Sequence, residues 1–271
     1  MTASGAPDAP FRMLRCATPG IEAVAAQSRH SFARHSHEQY GIGVIRFGAQ
    51  QSHSGRGQVE AAAGDVITVN PSEVHDGRPI GDVGRAWNIL YFEPALLQAA
   101  AHDIFEDRTG NFELSQPVMG DRRAANILGR LFSAETGQPE ETMRREELLL
   151  SLVAIVGRYR HKERNEAPAP VSLARSRIDD DPSSPHNLTE LARIGGVSRF
   201  QLLRGFARAT GLTPHAYVLQ RRTDLARRLI ARGMALSDAA AVAGFSDQSH
   251  MTRTFVRKFG ISPGAYARAV L

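Results

Sequence analysis

The chain has 271 residues, 42% of them apolar, enough to bury two separate cores, and its one cysteine, Cys16, excludes an internal disulfide and suits a reducing compartment. The net charge of +5 is unevenly placed: residues 171–271 carry 15 Lys and Arg against 7 Asp and Glu, while residues 1–170 carry 18 against 21. The longest apolar run, residues 148–156 with Ser151 inside it, is far too short to cross a bilayer, and the start lacks a signal peptide's apolar core, so a cytoplasmic protein is expected.

Residues 1–20 hold Pro7, Pro10 and Pro19 without periodicity and read as a flexible arm. Residues 21–160 form a first domain. From about residue 32 to 92 the pattern is of short strands divided by Gly, Pro, Asn and Asp. Ile42, Val44 and Ile45 mark one strand, and Val66, Ile67 and Val69 another. Trp87, Ile89 and Tyr91 alternate with Asn88, Leu90 and Phe92, which is the period of a strand. Such spacing predicts a sandwich or barrel. Gly41-Ile42-Gly43 is no dinucleotide fingerprint, because Arg46 stands where a third glycine belongs.

Two segments stand out in this region, His35-Ser36-His37-Glu38 and Asn70-Pro71-Ser72-Glu73-Val74-His75. They fall where the two motifs of a cupin, or double-stranded β-helix, would lie, and the region resembles that fold. A barrel of this kind encloses a ligand-sized cavity with alternate residues facing in. His35, His37, Tyr40, His75, Trp87 and Tyr91 are therefore the candidate effector-binding residues. An H-x-H pair with a distant third histidine can also hold a divalent ion. A metal-dependent cupin enzyme would add a glutamate four or five residues after the pair, where this chain has Gly41 and Ile42. No metal, cofactor or catalytic residue is expected.

After Glu93-Pro94 the chain turns helical, with helices expected over residues 121–133 and 140–163. Leu148, Leu152, Ile155 and Tyr159 make one apolar stripe of the latter, and Leu149, Val153 and Val156 a second, so this helix must pack in two directions. Residues 161–170, HKERNEAPAP, are charged and then Pro/Ala-rich and read as an interdomain linker.

Residues 171–271 say the same thing twice. LTELARIGGVSRFQLLRGFARATGLTPHAY (188–217) recurs as LSDAAAVAGFSDQSHMTRTFVRKFGISPGAY (236–266), at an offset of 48 that becomes 49 after one inserted residue. A repeat at fixed offset is one structural unit used twice. Each unit has the grammar of a helix-turn-helix: a short helix, a glycine break, a Ser N-cap, then a helix whose Leu202 and Phe206, or Phe255 and Phe259, share a buried face. The connecting helix, roughly 19 residues from 214 to 232, would be about 28 Å long. That approaches the ~34 Å between successive major-groove faces of B-DNA. Concentrated positive charge agrees with phosphate contact.

These residues, above all AGFSDQSHMTRTFVRKFGISPGAY, resemble the AraC/XylS family of bacterial transcription regulators. The resemblance implies a two-domain α+β protein: an amino-terminal cupin β-barrel with helices, and a carboxyl-terminal all-α domain of seven helices with two helix-turn-helix motifs, the first helix spanning residues 173–178. By position, base contacts fall to Phe200, Gln201 and Arg204 in the first unit and to Gln248, Ser249, Thr252 and Arg253 in the second, with Arg208 also on the DNA side; Arg and Gln can bind guanine and adenine edges bidentately. Asp247 is expected to cap a helix rather than touch DNA. The resemblance also implies an antiparallel homodimer contact through Leu148, Leu152, Ile155 and Tyr159. The expected partners are double-stranded operator DNA, a small-molecule effector and RNA polymerase. Two alternatives stay open: a metal-dependent cupin enzyme fused to a DNA-binding domain, and a constitutive DNA-binding protein whose barrel only dimerises.

Overall fold

The computed structural model describes residues 11–105, 111–137, 142–160 and 168–271. Strands β1 (Phe11–Leu14), β2 (Ile21–Ser28), β3 (Phe32–His35), β4 (Tyr40–Phe47), β5 (Ala49–Ser54), β6 (Gly57–Ala62), β7 (Val66–Val69), β8 (His75–Pro79) and β9 (Arg85–Phe92) come first. Helix α1 (Pro94–Ile104), strands β10 (Asn111–Leu114) and β11 (Val118–Met119), helices α2 (Arg122–Thr136) and α3 (Thr142–Val156) and strand β12 (Gly157–Arg160) complete this half.

The strands lie in two antiparallel sheets, β1-β2-β9-β4-β7-β11 and β3-β8-β5-β6, with β10 and β12 forming a separate pair. The ladders among the described residues fall into these two sheets, and the chain passes from one to the other at sharp corners. Gly48 and Gly84 are two of these corners. Both have positive φ, and a Cβ on Gly48 would sit 2.3 Å from the Gly84 carbonyl oxygen. The alternation of the large sheet then assigns its faces. Ile21, Ala23, Tyr40, Ile42, Val44, Leu90 and Phe92 turn toward α1, α2 and α3 and join their core. Val24, Trp87, Ile89 and Tyr91 turn the other way, toward the second sheet.

Three sequence expectations change here. The arm over residues 1–20 is not without structure: residues 1–10 lie outside the described residues, but Phe11–Leu14 is a strand paired with β2, and Phe11 and Met13 pack against the second helix-turn-helix. The helix over 140–163 ends at Val156, and β12 pairs with β10 instead. Gly157 decides this, since a Cβ there would meet the Phe112 ring at 2.5 Å. The stripe meant for a second subunit is also spent internally. Leu148 and Leu152 are buried in the core of their own domain, with Ile155 and Tyr159 packed against it, so Leu148 and Leu152 offer no surface for dimerisation. Of the expected linker, residues 161–167 lie outside the described residues, while Ala169 and Pro170 already open the next helix.

Seven helices follow: α4 (Ala169–Asp180), α5 (Leu188–Ile194), α6 (Arg199–Thr210), α7 (Pro214–Ala231), α8 (Leu236–Val242), α9 (Gln248–Phe259) and α10 (Pro263–Val270). Helices α5 and α6 form the first unit, and α8 and α9 the second. Both second helices end in a left-handed glycine, Gly211 (φ 76°) and Gly260 (φ 75°). The inserted residue falls in the turn of the second unit and changes the cap. Ser198 caps α6, whereas Ser246 stands one residue early and Asp247 caps α9 through the His250 N–H. Helix α7 joins the two cores, giving Tyr217 and Val218 to the first and Ala226 and Ile230 to the second. At 18 residues it is about 27 Å long. No helix among the described residues is long and apolar enough to cross a membrane.

Candidate functional site

A cavity of about 130 Å³ lies between the two sheets and is closed on one side by the helical half. One water occupies about 10–15 Å³ by the same measure, so the space suits a small organic molecule. Five of the six expected pocket residues line it: His35, His37, His75, Trp87 and Tyr91. Tyr40 does not. Its strand parity places it with Ile42 and Val44 on the helix side, where its hydroxyl donates to the Phe112 carbonyl. The positions that alternate with it, Gly41 and Gly43, face the cavity side, and Cβ atoms there would press on Tyr91 and Ile89.

The histidines meet at the corners where the chain changes sheet. His35 pairs with His75 across the β3–β8 ladder, and His37 follows on the same side. His35 and His37 are buried, and His75 nearly so, and burial lowers all three pKa values; the neighbouring histidines lower those of His35 and His37 further. Burial therefore favours the neutral imidazole at all three. Arg85, on β9, is almost completely buried and lies over the Trp87 ring. It donates to Gln50 Oε1 and to the His30 and Gly77 carbonyls, all neutral acceptors, and burial lowers its pKa to about 10.

The other wall belongs to the helical half, with Arg227 of α7, Lys258 and Phe259 of α9, and Tyr266 of α10. Arg227 reaches across to Glu22 on β2 at 2.6 Å, and Tyr266 donates to the same carboxylate at 2.9 Å. Phe259 lies 6.1 Å from the His37 ring. Lys258 is paired with Asp224 in a buried ion pair. Burial pushes the lysine down and the carboxyl up, and mutual attraction opposes both shifts. A second bridge lies beside the cavity. Glu38 binds Arg221 at 2.6 Å and also Arg228, while Gln220 accepts from the Ser36 N–H and hydroxyl. Burial alone would raise the Glu38 carboxyl, but the arginines outweigh it and hold its pKa below the usual value.

These bridging residues escaped the sequence reading, although a signal existed. Met251, Phe255 and Lys258 are spaced i, i+4 and i+7 on one buried face of α9, so Lys258 is a charge on an apolar stripe. Arg227 sits likewise on the buried side of α7, between Ala226 and Ile230.

Away from the cavity lining, Phe200, Gln201, Arg204 and Arg208 of α6 and Gln248, Ser249 and Arg253 of α9 are exposed, with Thr252 half-buried. Phe200 is 66% exposed, so it does not pack inward, and the Arg204 guanidinium lies over its ring. Gln201 closes a capping box, its Oε1 accepting from the Ser198 N–H at 2.9 Å. A bidentate adenine contact would use the same oxygen as this cap.

Comparison with known proteins agrees with both halves. Residues 18–153 match the AraC-like ligand binding domain, and residues 191–269 match a helix-turn-helix domain. The HTH-type transcriptional regulator YbfI of Bacillus subtilis is 28% identical over 228 residues, 81% of each chain. The probable transcriptional regulator LumQ of Photobacterium leiognathi is 41% identical over 81 residues, covering 30% of this chain and 33% of LumQ. Apo ToxT K231A from Vibrio cholerae shares the fold with a TM-score of 0.60 at 12% identity, covering 95% of this chain and 100% of that one. ToxT bound to an unsaturated fatty acid superposes with a TM-score of 0.56 at 12% identity, covering 91% and 94%. With a ligand-binding domain of this type at one end and a helix-turn-helix DNA-binding domain at the other, the chain belongs to the AraC family of transcriptional regulators.

Proposed function

We propose that the cavity between the two halves is the effector site, and that its occupancy is read by the DNA-binding domain through α7 and α9. The observation that carries this reading is the shared wall. Lys258 and Phe259 end the same helix whose first turns present Gln248, Ser249 and Arg253, so a ligand against them acts on a recognition helix directly. A ligand with different affinity for two domain arrangements shifts operator binding by that difference. The lining suits a mainly apolar molecule. Arg85, whose charge meets no carboxylate among the described residues, favours one with an anionic group. The fatty acid of ToxT has this chemistry.

In this reading α6 and α9 enter adjacent major grooves with Phe200, Gln201, Arg204, Arg208, Gln248, Ser249, Thr252 and Arg253 toward the DNA. The protein works in the cytoplasm as a homodimer, on operator DNA and with RNA polymerase, and carries out no catalysis. Its dimer contact lies outside the buried Leu148–Leu152 stripe.

The test is operator binding by fluorescence anisotropy, on a sequence selected from random duplexes, against a panel of small carboxylates and uncharged analogues. At least one apolar carboxylate is expected to change Kd, and Arg85→Gln to remove that response. If no compound in a broad panel moves the operator affinity, the domain is constitutive and the reading falls.

A further inference from the structure

The three histidines are arranged more specifically than a pocket wall requires. The ring centroids of His35, His37 and His75 lie 4.5–5.3 Å apart, and one nitrogen from each lies within 4.8 Å of the others. His35 Nδ1 is 2.8 Å from the Ala33 carbonyl and His75 Nδ1 is 3.0 Å from the Glu73 carbonyl. A carbonyl only accepts, so both Nδ1 atoms carry the proton and both Nε2 atoms keep a free lone pair. The His37 ring makes no hydrogen bond among the described residues, its backbone carbonyl alone accepting from the Ser72 N–H. Anchoring one ring nitrogen on a backbone carbonyl is how proteins fix the tautomer and orientation of a metal-ligating imidazole.

We infer that His35, His37 and His75 form a three-imidazole site for one divalent first-row transition ion, with its open coordination positions facing the cavity. Nitrogen ligands of this borderline softness select zinc, cobalt, nickel or iron(II) over magnesium or calcium. Three protein ligands and an open position are a sufficient set, so the missing cupin glutamate does not decide the matter, contrary to the sequence expectation. Nitrogens around a tetrahedral ion at about 2.0–2.1 Å lie about 3.3 Å apart, so the rings close inward on loading. The nearby cations do not oppose this strongly, because Lys258 is paired with Asp224, and Arg227 with Glu22. The inference shares the cavity with the effector reading but does not rest on it.

Cobalt(II) titration tests it on the full chain, stripped with chelator and kept free of DNA and effector. One equivalent is expected to give visible ligand-field bands that one equivalent of zinc abolishes. His37→Gln should lose the bands, while His53→Gln, at an exposed histidine, should keep them. Thermal melting of each variant reports whether it is folded. Should wild type bind no stoichiometric cobalt or zinc, or should folded His35→Gln, His37→Gln and His75→Gln variants all keep the bands, the site does not exist. Either result leaves the anisotropy test of the effector untouched.

Discussion

Arg253 leaves α9 exposed, beyond its own cap at Asp247 and away from the buried face of Met251 and Phe255. It is free to read a guanine edge. Arg253→Ala is expected to weaken operator binding by about 1–3 kcal/mol and to relax preference at one base pair. Anisotropy with single-base operator variants checks this, and uniform weakening across all of them would reassign Arg253 to a phosphate. Arg204 carries its guanidinium over Phe200, a pre-stacked pair whose charge stays outward. Cys16 belongs to the opposite class. Burial, then Glu135 and Glu22, push its thiol to about 12, so it stays protonated and unreactive at neutral pH. Tyr40 shows why residue type alone misleads. An aromatic beside two histidines suggests a ligand contact, but strand parity turns it away.

Helix α9 carries exposed Gln248, Ser249 and Arg253 in its first turns and, at its end, Lys258 and Phe259, which line the cavity. The buried Lys258–Asp224 pair fastens it to α7. Removing one partner leaves a charge in low dielectric, so Lys258→Met is expected to destabilise by about 3–5 kcal/mol, with Lys258→Met/Asp224→Leu recovering most of the loss. Urea denaturation measures both. No rescue by the double variant would show that Lys258 matters for its packing and not for its charge. The repeat was legible as a pair of helix-turn-helices because Phe206 and Phe255, both fully buried, recur with their glycine caps. Strand β12 was not legible, since Ile155 and Tyr159 keep a helical spacing across a glycine that admits only the Phe112 ring.

Across the whole molecule, acidic residues of the ligand-binding domain hold α7 in place. Glu38 takes Arg221 and Arg228, and Glu22 takes Arg227, so much of the positive charge of α7 is neutralised internally. Exposed cations remain on both second helices, Arg199, Arg204 and Arg208 on α6 and Arg253 and Arg257 on α9. Glu38→Gln is expected to uncouple the halves: operator Kd should become insensitive to effector, removing a coupling typically worth about 1–3 kcal/mol. Effector titration of the variant by anisotropy decides, and an undiminished response would show that Glu38 is not part of the coupling. The pH dependence has a definite sign. The Glu38 pKa is depressed, so its contribution is present above the ordinary carboxylate range and is lost as pH falls through the folded value. The Gln variant should lose that acid dependence.

The local periods of the chain were enough to establish two helix-turn-helix units and a strand-rich first half, because a period of 3.6 or 2 is written into neighbouring residues and caps stand at fixed offsets. The resemblance to a cupin placed three histidines near one cavity. The closure of that cavity was decided only in three dimensions. Glu22 and Arg227 are 205 residues apart, and their meeting depends on how two independently formed cores dock, which no local pattern encodes.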